Sequence, residues 1–292
     1  TDGTIDIIND YLIKNKNIKL LYNNKKIQTF ASNLGFAHAV GDYVIRMDAH
    51  ATYPEFYITR LIQELIENNV DCTGGIWKTL PSSNSRISNA IALSLQSPFG
   101  VGNTYYRIGS KKNRLVDTVP FGCYRRSIFS NIGMFNENLH RTEDIEFNLR
   151  LRKNNYKILL VPSVYSNYYS RENFIDLMRQ NFGNGFWVLF SLKYVNLPFT
   201  FRHIVPGFSV ISFIILCLLS CFNTSFLIIT ISLMALYLSM AFIFSVKVLE
   251  KINFIDIINI IFSFIFIHSS YGIGSIWGLL NIPFEFYSIN KD

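Results

Sequence analysis

The sequence is short of charge: Asp, Glu, Lys and Arg make up 16% of its 292 residues, whereas half of the residues are hydrophobic. Soluble domains carry nearer a quarter of charged residues, so we expect part of this chain to lie in lipid. The same composition excludes a disordered, collagen-like or coiled-coil chain. The charge that is present is unevenly placed, because residues 1–203 are basic and residues 204–292 are nearly free of charge.

Cysteine is also scarce, with four residues and no CxxC pair among them. No histidine stands at zinc-ligand spacing from them, so the sequence shows no zinc site. Cys217 and Cys221 lie one helical turn apart in an apolar run, where the usual role of cysteine is packing. We expect reduced thiols and a domain that faces the cytosol.

Long apolar runs dominate the C-terminal part. Residues 204–246 hold no charged side chain, and about 20 helical residues suffice to cross a bilayer. The polar triplet at 223–225 divides this run, and a second charge-free run covers 257–284. We therefore predict a transmembrane region at 204–292 with three helices, at 205–222, 226–246 and 257–280.

Basic side chains flank these runs. Arg202 precedes the first helix and Lys247 and Lys251 follow the second, which places both flanks in the cytoplasm. We expect a multi-pass protein of the cell membrane, with the basic part cytoplasmic and the C-terminus outside. The aromatic stretch within 186–203 predicts an interfacial amphipathic segment, and an ordinary buried helix is the alternative there.

The polar part, residues 1–185, alternates short apolar runs with helical stretches, a pattern typical of an α/β domain with a mainly parallel sheet. Ligands in such sheets bind beyond the carboxyl ends of the strands, so polar residues that follow strands are the candidates for a site. The predicted strands are Ile18–Tyr22, Tyr43–Met47, Val70–Trp77, Val116–Tyr124 and Lys157–Pro162.

Two polar clusters stand at such places. Asp48 and His50 follow a predicted strand and could hold a divalent ion on a diphosphate, although Asp48 could equally cap the next turn. Glu143 and Asp144 open the stretch 143–153, whose apolar residues alternate as in a strand but whose Glu, Leu and Arg content favours a helix. There a carboxylate could act as a general base, or the pair could only complement the helix dipole. Spacing alone leaves both alternatives open.

A series of motifs runs along the chain: TDGT at 1–4, NLGFAHA at 33–39, RMDAHATYP at 46–54, VPFGCYRR at 119–126, and GMFNE at 133–137 followed by TEDIE at 142–146. In this order and over nearly the whole chain, they resemble the motifs of family 2 glycosyltransferases, with DAH at 48–50 as a variant of the family's DxD. His268–Gly274 also resembles a tail motif of the succinoglycan-type membrane glucosyltransferases of that family.

The resemblance implies a GT-A fold, whose mixed and mainly parallel sheet carries helices on both faces. It implies an inverting transfer of one sugar from a nucleotide-sugar donor, such as a UDP-hexose, to a lipid-linked or saccharide acceptor in surface polysaccharide synthesis. A divalent cation, Mg²⁺ or Mn²⁺, would neutralise the leaving diphosphate. Membrane lipid is a further expected partner. Nucleic acid is not, because the positive charge suits anionic headgroups and a diphosphate.

The resemblance also implies roles for individual residues. Asp144 would be the catalytic base with Glu143 beside it, and Asp48 with His50 would hold the metal. The acceptor would contact Gly122 and Trp187. The residues that would bind the donor are Asp2, Asn33, Asp48, Arg179 and Gln180.

Three departures from the family pattern leave alternatives. His50 replaces the second Asp of DxD, which shifts metal binding towards Asp48. Gln180 and Trp187 lack the QxxRW spacing of processive synthases, which favours single-sugar transfer over polymerisation. The family's first strand and helix would precede Thr1, so we expect an N-terminally incomplete sequence. The alternatives to single-sugar transfer are a processive synthase and an inactive membrane scaffold.

Overall fold

The computed structural model describes residues 3–194 and 200–289, with side chains as far as residue 282. It forms a sheet of six strands with helices around it, followed by three long apolar helices. In chain order the elements are α1 (Thr4–Lys14), α2 (Gln28–His38), β1 (Tyr43–Ile45), β2 (Ala51–Thr52), α3 (Tyr57–Glu67), β3 (Cys72–Leu80), α4 (Arg86–Ser94), α5 (Pro98–Val101), α6 (Tyr105–Ile108), β4 (Arg114–Leu115), β5 (Cys123–Arg125), α7 (Ser127–Ile132), α8 (Glu143–Lys153), β6 (Ile158–Tyr169), α9 (Phe174–Phe190), a 3₁₀ turn (Ser191–Lys193), α10 (Phe201–Ser220), α11 (Thr224–Val248) and α12 (Phe254–Ile289).

The sheet is mixed, as predicted, with the strand order β1-β5-β3-β6-β2 and with β4 paired to β6. Its longest ladder joins β3 and β6 in parallel. The other four described ladders are short and antiparallel. The expectation of mainly parallel pairing therefore holds for the central ladder and not for the flanking strands.

Helices cover both faces of the sheet. Successive side chains of β6 point in opposite directions, so its apolar residues reach both faces. Leu159 and Val161 pack with Leu61 and Leu65 of α3 on one face. The opposite face holds a larger cluster, to which α2, α7 and α8 contribute Phe36, Ile128, Phe129, Phe147 and Leu151 against Ile158 and Leu160. Both clusters are buried, so the sheet is the middle layer of three.

Two predicted strands differ from the structure. Residues 18–22 lie outside every described helix and strand. Only the end of the predicted strand at 116–124 is a strand, since β5 begins at Cys123. Pro120 has no backbone N–H to donate to a ladder, and Phe121 has a φ of 47°, which no extended strand allows. These two residues delay the start of β5.

Three helices are long and apolar enough to cross a membrane: Phe201–Ser220, Thr224–Val248 and Phe254–Ile282. They match the three predicted apolar helices. The break between the first two also falls at the predicted polar triplet, where the Asn223 side chain caps α11 by accepting a hydrogen bond of 2.8 Å from the backbone N–H of Ser225.

The predicted domain boundary after residue 185 falls inside α9, so residues 186–190 are the last turns of that helix rather than a separate segment. Val188 and Phe190 are buried, as the buried-helix alternative requires. Residues 195–199 of the predicted interfacial segment lie outside the described residues. Along this stretch α9 packs closely on α12.

Glycines allow this packing. A Cβ atom on Gly274 would collide with the carbonyl oxygen of Phe182, and one on Gly278 with that of Phe186. Four residues further along α12, the contact lies four residues further along α9, so the two helices run parallel. α12 therefore lies along α9, and 33% of its apolar window is buried against 11% for α10 and for α11.

Candidate active site

A central cavity of about 810 Å³ lies between the sheet and the apolar helices. Its walls come from the residues after β1, the start of α8, the ends of β3 and β6, and the helices α6, α9, α10 and α12. A second groove of about 600 Å³, the α2 groove, runs between α2 and residues 43–50. The two spaces share Gln28, Arg46, Asp48 and His50, so they meet at the carboxyl end of β1.

The turn after β1 is held by hydrogen bonds that position Asp48. The backbone N–H of Arg46 donates to the carbonyl of Gly122 on the neighbouring chain segment, at 3.3 Å. The backbone N–H of Asp48 donates to the Tyr53 hydroxyl at 2.8 Å, and that hydroxyl donates back to the Asp48 carbonyl at 3.2 Å. Burial raises the pKa of Tyr53 to about 12, so this hydroxyl stays protonated and keeps the turn closed.

Arg46 joins the two acidic motifs. Its Nε lies 3.1 Å from Asp48 Oδ1, and its Nη1 donates to Glu143 Oε1 at 2.9 Å. Burial alone would lower the pKa of Arg46, but the charges of Asp48, Glu143 and Asp144 outweigh it and raise that pKa. The guanidinium therefore stays charged and holds the β1 turn against the start of α8.

The two adjacent carboxylates differ in their surroundings. Thr142 adopts a left-handed backbone with a φ of 64°, after which α8 begins at Glu143. The Glu143 side chain is 6% exposed and faces Arg46. Asp144 lines the central cavity, and its Oδ1 accepts a hydrogen bond of 2.9 Å from the backbone N–H of Ile145. Asp144 is thus the carboxylate that a substrate in the cavity can reach.

The pKa of Glu143 is raised to about 7, mainly by burial. The negative charge of Asp144 also raises this pKa, whereas the positive charge of Arg46 lowers it. An unfolded chain has a Glu pKa of about 4.3, so the folded protein holds this proton over a pH range in which the unfolded chain has lost it. The free energy of unfolding therefore falls as the pH rises between these values, by up to about 1.4 kcal/mol per pH unit.

Glu143→Gln should remove this loss of stability, because glutamine keeps the shape of the protonated acid and does not titrate. We expect the melting temperature of the variant, relative to that of the unchanged protein, to rise between about pH 5 and about pH 8. Thermal unfolding in detergent at a series of pH values measures this difference. A difference that stays constant with pH would contradict the raised pKa.

The protein supplies only some of the ligands that the predicted cation needs. His50 Nε2 lies 3.9 Å from Asp48 Oδ2, and the His50 side chain is 69% exposed. Across the described residues, no group of three or more His, Cys, Asp or Glu side chains could hold a metal ion. Mg²⁺ commonly takes one or two carboxylates and completes its shell with water and substrate phosphates. The residues present fit that mode and not a closed protein cage.

The two predicted donor-binding residues on α9 differ in position. Gln180 lines the central cavity, and its side-chain amide donates to the Tyr168 hydroxyl at 3.0 Å. Arg179 is 76% exposed and pairs with Asp176 at 3.2 Å. Because Arg179 lines neither the central cavity nor the α2 groove, its position argues against contact with a ligand there.

Three further predicted site residues, Asn33, Gly122 and Trp187, lie outside the walls of both spaces. The Asn33 amide donates to the Phe135 carbonyl at 2.9 Å and to Glu137, so this side chain ties α2 to the loop before α8. Gly122 is buried and packs against the Tyr124 ring. Trp187 stacks on His140 at 5.1 Å. Asp2 lies outside the described residues.

Sequence reasoning missed an aromatic cluster on the cavity wall. Trp77 and Tyr168 stack with ring centroids 4.4 Å apart, and the Arg107 guanidinium lies 4.5 Å from the Trp77 centroid. These residues come from β3, β6 and α6. No spacing in the sequence links them, so only the fold brings them together.

Comparison with known proteins identifies relatives of the chain. Residues 1–133 match the family described as Glycosyl transferase family 2. The chain is 30% identical over 187 residues to the "Succinoglycan biosynthesis protein ExoA" of Rhizobium meliloti (strain 1021). The matched region covers 63% of this chain and 56% of that protein.

A second relative is the "Dolichyl N-acetyl-alpha-D-glucosaminyl phosphate 3-beta-D-2,3-diacetamido-2,3-dideoxy-beta-D-glucuronosyltransferase" of Methanococcus voltae. Identity to it is 30% over 199 residues, covering 63% of this chain and 59% of that protein. The chain thus spans less than two thirds of the length of either relative. Among solved structures, the crystal structure of an S. aureus TarS fragment is similar with a TM-score of 0.42 and 20% identity, over 62% of this chain and 51% of that one.

Proposed function

Residues 1–133 match glycosyl transferase family 2, and we infer that the chain carries a domain of that family. We propose that it is a membrane-anchored, inverting glycosyltransferase, which moves one sugar from a nucleotide-diphosphate sugar to a lipid-linked saccharide acceptor. A UDP-hexose is the donor we propose. The product belongs to a surface or extracellular polysaccharide.

One observation carries this proposal: the central cavity brings Asp48, His50 and Asp144 to a common space, although nearly a hundred residues separate the two motifs. Arg46 ties the motifs together through its two ion pairs. Since the α2 groove meets the cavity at Asp48, we place the nucleotide in that groove and the acceptor in the cavity.

The reaction needs a base on the acceptor side. The Asp144 carboxylate takes the proton of the acceptor hydroxyl, the oxygen bonds to the anomeric carbon, and the bond from that carbon to the diphosphate oxygen breaks with its electron pair. Attack from the side opposite the leaving group inverts the anomeric carbon. Glu143 does not face the cavity and acts by holding Arg46.

The leaving diphosphate gains negative charge. Asp48, with His50 beside it, would hold a divalent cation whose role is to neutralise that charge. Mg²⁺ and Mn²⁺ both suit carboxylate and phosphate oxygens. Arg46 lines both spaces and adds a fixed positive charge next to Asp48.

The membrane anchor and the acceptor class have separate support. Three helices have the length and composition of membrane spans. The two relatives are named for succinoglycan biosynthesis and for transfer to a dolichyl-linked sugar phosphate. We therefore propose a multi-pass protein of the cell membrane, with the catalytic domain in the cytoplasm and membrane lipid as a partner.

The purified chain in detergent, mixed with a panel of UDP-sugars and isoprenoid-linked saccharides, tests this function. Mass spectrometry of the lipid products should show an acceptor that gains one hexose. A ladder of additions would indicate a processive synthase. Neither transfer nor hydrolysis with any donor would contradict the enzyme and favour an inactive scaffold.

Topology is tested by reporter fusions. A reporter placed after Lys251 should report the cytoplasm, because the basic flanks of α10 and α11 stay inside. One fused at Asp292 should report the outside if α12 crosses the bilayer. A cytoplasmic signal at both sites would contradict an external C-terminus. It would mean that α12 lies in the membrane interface along α9, a position that their close packing also allows.

A further inference from the structure

We propose that Arg107 and the aromatic rings beside it form a phosphate subsite for the lipid-linked acceptor in the central cavity. This inference rests on the proposed function and adds the residues that recognise the acceptor's phosphate. None of the sequence motifs includes Arg107.

Arg107 is held in place by aromatic rings. Its guanidinium carbon lies 4.5 Å from the Trp77 centroid and 5.1 Å from that of Tyr168. The two rings stack on each other with an interplanar angle of 5°. The Gln180 amide fixes the Tyr168 hydroxyl, and all four side chains line the central cavity. The arrangement orients a cation without neutralising it.

Arg107 is also unpaired, as far as the described residues show. Its side chain has no ion pair or hydrogen bond there, and its Nη1 is buried without an acceptor. Trp77 Nε1 is a second buried donor without a partner. By contrast, Arg46 pairs with two carboxylates, and Arg202, on the same cavity, pairs with Asp117 at 2.6 Å.

Unpaired donors of this kind favour a phosphate. A buried charged donor without an acceptor costs free energy, which an incoming oxygen can recover after a small rotation of the side chain. The planar guanidinium matches two phosphate oxygens, and its stacked position reduces the entropy lost on binding.

The location distinguishes this phosphate from that of the donor. Arg107 lines the central cavity and not the α2 groove, where we place the nucleotide. The same cavity continues along Val205 and Pro206 of α10 and Ile267 of α12, which are helices of membrane-spanning composition. A lipid-linked phosphate could therefore bind Arg107 while its apolar chain lies against those helices.

Binding to the full chain in detergent tests the proposal, with geranylgeranyl phosphate as the lipid probe and UDP as the donor probe. Arg107→Ala should weaken geranylgeranyl phosphate binding about ten- to hundredfold and leave UDP binding within about twofold. Arg107→Lys keeps the charge but loses the planar fork, so it should fall between the two. Arg152→Ala, which removes an exposed arginine of α8 outside both cavities, is the matched control and should change neither affinity.

Further arms separate the possible ligands. Geranylgeraniol lacks the phosphate, so its affinity should be the same for the unchanged chain and for the Arg107 variants. Inorganic phosphate that competes at the concentration of the lipid probe would overturn the lipid part of the proposal. Loss of UDP binding in Arg107→Ala would assign the arginine to the donor and overturn the subsite. So would unchanged lipid binding in both Arg107 variants. If Arg107→Ala melts early, Arg107→Lys decides the question by the same comparison.

The proposed function can fail separately. An unchanged chain that binds geranylgeranyl phosphate through Arg107 but binds no UDP or other nucleotide diphosphate contradicts the glycosyltransferase and leaves the phosphate subsite standing. A chain that transfers sugar while Arg107→Ala binds the lipid probe normally contradicts only the subsite.

Discussion

Asp144→Asn is expected to lower kcat about 10²–10⁴-fold, equivalent to about 3–5 kcal/mol of activation free energy. Asparagine keeps the size of the side chain and can still accept the hydrogen bond from the N–H of Ile145, but it cannot take the acceptor proton. Donor affinity should barely change, because the nucleotide is placed in the α2 groove. Steady-state kinetics with separate donor and acceptor titrations measures both quantities.

Glu143→Gln is the internal control for this assignment. Glu143 is the neighbouring carboxylic acid, but its side chain faces Arg46 and not the cavity. We expect a smaller loss of kcat, caused by a weaker hold on Arg46. A larger loss in Glu143→Gln than in Asp144→Asn would reverse the two roles. If kcat falls in neither variant, the two acidic residues have no catalytic role and only complement the dipole of α8.

Asp48→Ala is expected to have the second large effect, a loss of kcat of about 10³-fold or more. Removing one preorganised group that stabilises transition-state charge typically costs 10²–10³-fold, and here the cation would be lost with it. The same loss should follow from excess EDTA and should be reversed by Mg²⁺ or Mn²⁺. Full turnover in EDTA would contradict metal dependence.

His50→Ala is the companion variant and should keep part of the activity. Its side chain is 69% exposed and 3.9 Å from Asp48, whereas the Asp48 side chain is 14% exposed. Asp48→Asn controls for the ion pair, because it can still accept a hydrogen bond from Arg46 but binds a cation poorly. If His50→Ala and Asp48→Asn need the same metal concentration for half activity, the ranking of the two ligands is wrong.

The site shows where sequence reasoning succeeds and where it stops. The resemblance gave Asp48 and Asp144 roles in one reaction, and both residues line one cavity. Their catalytic roles stay predictions. Asn33 and Arg179 were chosen by the same resemblance, yet their side chains bond to Phe135 and to Asp176. A motif places a residue along the chain but does not set the direction of its side chain.

The fold divides in the same way. The three apolar helices could be predicted because the cost of burying charge in lipid acts on each residue separately and leaves a local signal in composition. The path of α9 could not, because it depends on glycines of α12 almost a hundred residues away. Local patterns carry no information about such a partner.

Neighbouring residues alone were enough to predict three features: the basic α/β part, the apolar part and the family resemblance. They only favoured a helix at 143–153, where α8 lies. Two contacts are visible only in the folded chain: Arg46 reaches Glu143, and Arg107 lies beside Trp77 and Tyr168 with no ion pair among the described residues. Each of them joins segments that lie far apart in the chain. The packing of the sheet and the helices around it determines their distances, so no stretch of sequence encodes them alone.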